Sequence, residues 1–423
     1  MFWFDFSWEI QNLLNQFWWP IQFALLVIAV AIGFLAYKKP AYAVGLTILM
    51  LPTYLFRSYI YFLPFTFLEV CIWILAAGYL IGLFKRNEFK DKKLISYRPQ
   101  IFFILLASTV AIFISPGLAS AAGLWKAYFV QPILFFAVFV NVIKTKKDQE
   151  IILWSLGLVA TVIATIAIYQ KFTGWGIFEP GWTGPNNRRV TSLFTSPNAV
   201  GLFLAPVMTI YFGWLLSEIK NLKKSLIKIF VIALGLTAIV FTISQGTWLG
   251  LLVAFTFMAF FGWNKKITTT VVVLGTVLIL ITPVTREKIW PTVTLQDASG
   301  QNRLELWSLA SDSLLQNPIS GNGLLGFATI QNANRDPLKI EPLLYPHNII
   351  LNFWTEIGLL GLVAFSWLVV KFFRRGFKKV KENKWLILGV MAAMITVMVH
   401  GFIDVPYFKN DLAVLFWIII ALI

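Results

Sequence analysis

The sequence predicts an all-α polytopic integral membrane protein of about 12–13 transmembrane helices with a large, partly helical extracytoplasmic loop. Three observations carry that expectation. Of 423 residues, 58% are hydrophobic and only 13% charged, with a mean hydropathy of +0.77, which excludes a string of ordinary soluble domains. Apolar runs long enough to cross roughly 30 Å of hydrocarbon recur along the whole chain. The basic residues, finally, collect in short links between alternate runs.

The runs fall near 17–37, 41–55, 62–84, 101–120, 124–143, 151–171, 199–216, 225–243, 248–263, 267–283, 348–373, 385–402 and 410–423. The second is interrupted by Pro52, and the last runs to the chain end. If the links alternate sides, those beginning at Lys38, Lys85, Lys144, Ser217, Asn264 and Arg374 share one face and hold 24 of the 35 Lys and Arg residues. That face is expected to be cytoplasmic, which puts the N-terminus outside and the C-terminus inside. The formal charge of +16 then orients the protein and gives no reason to expect a nucleic-acid partner. The opening stretch, residues 1–16, lacks a basic n-region and a small-residue cleavage site, so it does not read as a signal peptide. Its interleaved Phe, Trp and acidic residues fit an interfacial amphipathic helix or an extension of the first span.

The expected organisation is a single membrane domain over 1–423, with a lid at 284–346. Within that loop, QNRLELWSLASDSLLQ places Leu304, Trp307, Leu314 and Leu315 on one helical face. Asn317 and Pro318 end the helix, and Gly321, Gly323 and Gly326 make a turn-rich stretch after it.

Several chemistries are excluded by inspection. The eight aspartates include no D-x-D pair, there is no G-x-x-x-x-G-K-[ST] loop, and one cysteine, Cys71, leaves no intrachain disulfide. Two histidines, His347 and His400, leave little for a His-based metal site, and no cofactor is expected. Acids within the spans are few, chiefly Glu69 and Glu356, which argues against a proton-driven pump. Arginines and histidines on the expected outer face remain: Arg188 and Arg189 before the seventh span, Arg303 in the loop helix, and His347 where the chain re-enters the membrane. An arginine fork matches phosphate oxygens, and a histidine exchanges a proton near neutral pH. Together they suit an anionic, lipid-linked substrate. Each has a plainer alternative: a headgroup-facing charge for the arginines, a backbone hydrogen bond for His347, a bond to Asp404 for His400, an N-cap for Asn198, and helix packing for Glu356.

Three segments together resemble the O-antigen ligase and polymerase superfamily of bacterial envelope-glycan enzymes. They are RVTSLFTSPNAVGLFL, then NRLELWSLASDSLLQNPISGNGLLGF followed by YPHNIILNFWTEIGLLGL, and HGFIDVPYFKNDLAVLFW. They span roughly residues 189–420, while the first half resembles the family only in hydropathy and span count. One position departs: TISQGTWLG carries Gln245 where many relatives have arginine, so a neutral amide stands in place of a charge.

The resemblance implies a metal-independent glycosyltransferase in the bacterial cytoplasmic membrane with its active face outside. It would move a glycan from an undecaprenyl-pyrophosphate carrier to a hydroxyl of a glycan or lipid acceptor. It further implies His347 as general base, Arg303 and Arg189 as catalytic arginines on the pyrophosphate, and substrate contacts by Arg188, Asn198, Gln245, Asn348, His400 and Asp404. A repeat-unit polymerase of the same superfamily is the close alternative. From other classes, a lipid-linked oligosaccharide flippase and a non-catalytic scaffold also remain open.

Overall fold

The computed structural model describes residues 3–4, 8–60, 63–86, 96–177, 179–220, 222–270, 272, 294–334 and 343–423. The expected span at 267–283 lies almost wholly outside them. Among the described residues nine helices are long and apolar enough to cross a membrane, and three further apolar helices are shorter. The protein is thus an all-α polytopic membrane protein.

The first expected segment splits. Trp3–Phe4 (β1) is a strand, and only Trp8–Gln16 (α1) is helical. The first span, Trp18–Lys38 (α2), leads through Lys39 into Pro40–Leu49 (α3), with Pro40 at the first helical position, where its missing N–H costs nothing. Pro52 then forces the chain into a 3-10 turn, Leu51–Leu55. Strands Phe56–Ile60 (β2) and Leu63–Thr66 (β3) follow and form a small antiparallel sheet in the order β1-β2-β3, pairing Trp3 with Arg57 and Arg57 with Thr66. The run expected to start at 62 therefore becomes helical only at Phe67–Arg86 (α4).

Arg98–Ile114 (α5) stops before Pro116, because proline supplies no N–H and constrains Ser115 to an extended conformation. Leu118–Trp125 (α6), a π-helical turn and Gln131–Val142 (α7) make one 25-residue span. Lys146–Thr173 (α8) opens on a capping box formed by Thr145 and Asp148. Pro197–Ser217 (α9), Leu222–Thr242 (α10) and Gln245–Gly262 (α11) follow. The lid contributes Ala298–Gln316 (α12) and Gly326–Asn334 (α13), before Ile349–Lys379 (α14), Lys384–Gly401 (α15) and Asn410–Ala421 (α16) complete the bundle.

Helix α9 is the axis of the bundle: 89% of its apolar window is buried, against 22% for α2 at the rim. It lies against α15 with Gly213 beside Gly389, so the two backbones approach closely. The lysine-rich links gather at one end, where Lys224 pairs with Glu150 at 2.8 Å and Lys228 with Glu218 at 2.6 Å. At the opposite end meet the starts of α9, α11 and α14, the ends of α10 and α15, and the lid.

Candidate functional site

The polar end of the bundle is organised around one carboxylate. Asp404 sits in the short connection between α15 and α16, where Tyr407 and Phe408 are buried among aromatic neighbours and hold the loop down. Its Oδ1 lies 3.2 Å from His347 Nδ1 and accepts the Val405 N–H at 2.8 Å. Its Oδ2 accepts from Asn198 Nδ2 at 2.8 Å and lies 3.7 Å from His400 Nε2. Burial by itself would raise the Asp404 pKa. The hydrogen bond and charge of His347, the charge of His400 and the Val405 N–H outweigh it and hold the carboxyl well below the usual carboxylate range.

His347 keeps 24% of its side chain exposed, against 7% for Asp404 and 3% for His400. Its backbone is left-handed, with φ 51°, a conformation that turns the ring toward Asp404 just before the helix begins. Nδ1 faces the carboxylate, and Nε2 lies on the other edge of the ring. Asn348 caps α14: its Oδ1 accepts from Ile350 and Leu351 N–H, and its Nδ2 donates to the Phe402 carbonyl at 3.1 Å. The helix start and the Asp404 loop are thereby tied together.

Both expected catalytic arginines are anchored at the same end. Arg189 Nε donates to the Thr242 carbonyl at the end of α10 at 3.0 Å, its Nη2 reaches Asn198 Oδ1 at 3.5 Å, and its guanidinium lies over the Trp182 ring, 5.7 Å from the centroid. Asn198 thus bridges Arg189 to Asp404. The N-cap of α9 is Ser196 and not Asn198, so the plainer alternative for Asn198 does not hold. Arg303, the sixth residue of α12, donates from Nε to the Ile403 carbonyl at 2.8 Å and from Nη1 to Ser299 Oγ at 2.9 Å. Ile403 adjoins Asp404, so α12 lies beside the carboxylate.

Arg188 points elsewhere. Its Nε donates to the Thr183 carbonyl at 2.9 Å and its Nη1 to the Lys171 carbonyl at 3.0 Å, at the C-terminal end of α8. Adjacent residues on extended backbone face opposite ways, which separates it from Arg189. Gln245 is exposed at the first turn of α11, at the rim of this end. Its neighbour Gly246 touches the His400 ring, where a Cβ would come within 2.7 Å of Cδ2. His400 is a buried second layer: its Nδ1 is 3.5 Å from Thr247 Oγ1, which in turn donates to Ser244 Oγ at 2.9 Å.

The structure therefore brings together His347, Asp404, His400, Asn198, Asn348, Arg189 and Arg303, and leaves Arg188 outside. Sequence reasoning missed Ser299, Thr247 and Trp182. Ser299 had a signal, since it stands one helical turn before Arg303. Thr247 had none, because His400 lies 153 residues on, and Trp182 had none, because it meets Arg189 across an irregular turn that no periodic spacing marks. Two imidazoles and a carboxylate meet here without converging on a common point, each ring facing a different carboxylate oxygen.

Residues 230–366 match the family model described as O-antigen ligase. A putative polysaccharide ligase of Rickettsia conorii is 32% identical over 83 residues, 18% of this chain and 20% of that protein. A second, from Rickettsia typhi, is 33% identical over 82 residues, with the same coverage. The matched stretch spans about a fifth of the length of these curated relatives. The family-model match at 230–366 takes in α11, the described part of the lid and the His347 helix start.

Proposed function

We propose that the protein, whose residues 230–366 match the O-antigen ligase family model, transfers a glycan from an undecaprenyl-pyrophosphate carrier to a hydroxyl acceptor, at the outer face of the bacterial cytoplasmic membrane. The acceptor is a second glycan or a lipid. The observation that supports this most is the His347–Asp404 pair, with its free Nε2 edge, set between two anchored arginines.

The proposed step is a single displacement. The acceptor oxygen attacks the anomeric carbon of the donor while His347 Nε2 takes the hydroxyl proton, as a general base does. The bond from that carbon to the pyrophosphate oxygen breaks, and its electron pair leaves on the pyrophosphate. Asp404, kept ionised by its partners, stabilises the imidazolium that forms. Arg303 and Arg189, already oriented by carbonyls, meet the charge developing on the leaving group without having to reorganise. With Gln245 neutral and Arg188 committed to α8, that charge falls on two guanidinium groups and not four. His400 acts from behind Asp404, and Asn198 and Asn348 hold the frame.

The lysine-rich end, on this reading, faces the cytoplasm and the lid faces outward. The test is glycan profiling of a deletion strain complemented with wild-type or His347→Ala protein. Full-length glycan accumulating on the lipid carrier with His347→Ala is the expected ligase result. A change in chain length without loss of attachment indicates a polymerase. Wild-type surface glycan in both strains would leave only a scaffold, and lipid-linked glycan trapped on the cytoplasmic face would indicate a flippase.

A further inference from the structure

Glu356 has no part in the proposed chemistry, yet it lies about two turns into the apolar helix α14 with no exposed surface. A buried carboxyl there costs a few kcal/mol unless it finds partners. Its partners are not on another membrane helix. Oε2 accepts the Leu325 N–H at 2.7 Å, from the lid turn leading into α13, and Oε1 has no hydrogen-bond partner among the described residues.

The same point of α14 is broken. Ile357 and Gly358 leave helical geometry, and Gly358 adopts φ 71° and ψ 179°, a conformation essentially restricted to glycine. The break exposes backbone groups that the lid turn satisfies: Asn322 N–H donates to the Thr355 carbonyl at 2.6 Å, and Leu359 N–H to the Ile319 carbonyl at 3.0 Å. Trp354 Nε1 adds a bond to the Pro318 carbonyl at 2.7 Å. The segment 318–327 is thus stitched into a membrane helix, with Glu356 gripping its far end.

From that grip a short packed path leads to Arg303. Phe327 is fully buried against Leu306 and Ala310 of α12, and Leu306 stands one turn after Arg303. Ser313, further along α12, donates to Asn322 Oδ1 at 3.1 Å. The lid helix therefore rests on two residues of the clamped turn, while α14 itself begins at His347 and Asn348. One membrane helix references both the imidazole at its start and, through Glu356, the guanidinium on the lid.

We propose that Glu356 is a positioning residue for Arg303: by holding the Leu325 amide it fixes the turn that carries Phe327, hence α12, hence the arginine beside Asp404. The part concerning transfer rests on the proposed function; the clamp itself does not. Loss of the buried acceptor is expected to release α12 locally and to lower donor kcat/KM roughly tenfold or more, leaving His347 and its capped helix start in place.

The test pairs hydrogen exchange with kinetics on full-length protein in detergent, using a labelled undecaprenyl-pyrophosphate glycan as donor. In Glu356→Leu, which has no acceptor for the Leu325 N–H, amides of 298–327 should exchange faster while those of 349–355 and of α9 keep wild-type protection. The loss in donor kcat/KM should vanish when Arg303→Ala is already present, since no guanidinium is left to position. Unchanged exchange in 298–327, faster exchange throughout the chain, or an equal kinetic loss in the Arg303→Ala background would each overturn the proposal. Glu356→Asp, which keeps the carboxyl but shortens its reach, should exchange between wild type and Glu356→Leu; if it matches wild type in exchange yet loses activity, the clamp is likewise overturned. Full transfer by Arg303→Ala alone would fault the functional reading and leave the exchange result standing.

Discussion

Two regions of the chain carry motif residues, and they use them differently. At the polar end, His347, Asp404, Asn198, Arg189 and Arg303 meet through side chains, with His347 part-exposed and the carboxylate saturated by its neighbours. At the lid turn, the Pro318 to Gly323 run meets α14 and α5 through backbone: the glycines at 321 and 323 take positive φ, and Ser115 Oγ at the end of α5 donates to the Leu324 carbonyl at 2.6 Å. One region leaves His347 part-exposed among its side-chain contacts, and the other spends its groups on the protein's own backbone. Motif residues thus have two physical origins, and mutation separates them.

The largest effect expected away from His347 is at Arg303. Arg303→Ala should lower transfer by about 10²–10³-fold with little change in thermal stability, as loss of a preorganised donor to a leaving group does. A loss of stability of the same rank as the loss of activity would merge the two regions. Asp404→Asn comes next. It removes the charge that stabilises the imidazolium and should cost roughly 10²-fold in turnover, measurable with donor at saturation. Because the folded Asp404 pKa lies below its unfolded value of about 3.9, the stability it contributes is fully present above that pH and is lost as pH falls through the folded value. The wild-type rate between about pH 5 and pH 9 should therefore show no limb from this carboxyl.

Changes at the lid turn should invert the ranking. Gly358→Ala forces a side chain into a backbone conformation essentially restricted to glycine and brings its Cβ within 2.6 Å of the Ile319 carbonyl. A cost of about 1–3 kcal/mol is expected, read as a lower Tm, with activity falling only as the lid loosens. Normal Tm with abolished transfer would move this turn into the chemistry. The smallest effect on transfer belongs to Arg188→Ala. Its guanidinium serves carbonyls at the end of α8, so a stability loss of about 1–3 kcal/mol with activity within about twofold of wild type is expected.

The helical bundle was legible because hydrocarbon thickness and hydropathy act on each segment separately. The small sheet was not: its strands are two to five residues long, and β1 pairs with a strand some fifty residues away, so no local pattern marks it. Boundaries moved where prolines intervened, at Pro52 and Pro116. In the site, residue types named the chemistry, and helix starts placed His347 and Arg189 at one end. Asp404 as the centre was not legible, because its partners at 198, 347 and 400 come together only when α9, α14 and α15 pack. Arg188 and Arg189 could not be told apart for the same reason: their carbonyl partners belong to different helices.

The most direct measurement is release of undecaprenyl pyrophosphate by purified protein given labelled lipid-linked glycan and a hydroxyl acceptor. Wild type should release the carrier as glycan appears on the acceptor, and His347→Ala should do so about 10²–10⁴-fold more slowly while keeping its Tm. No release by wild type, or release by His347→Ala at the wild-type rate, would contradict the assignment of transfer to this site.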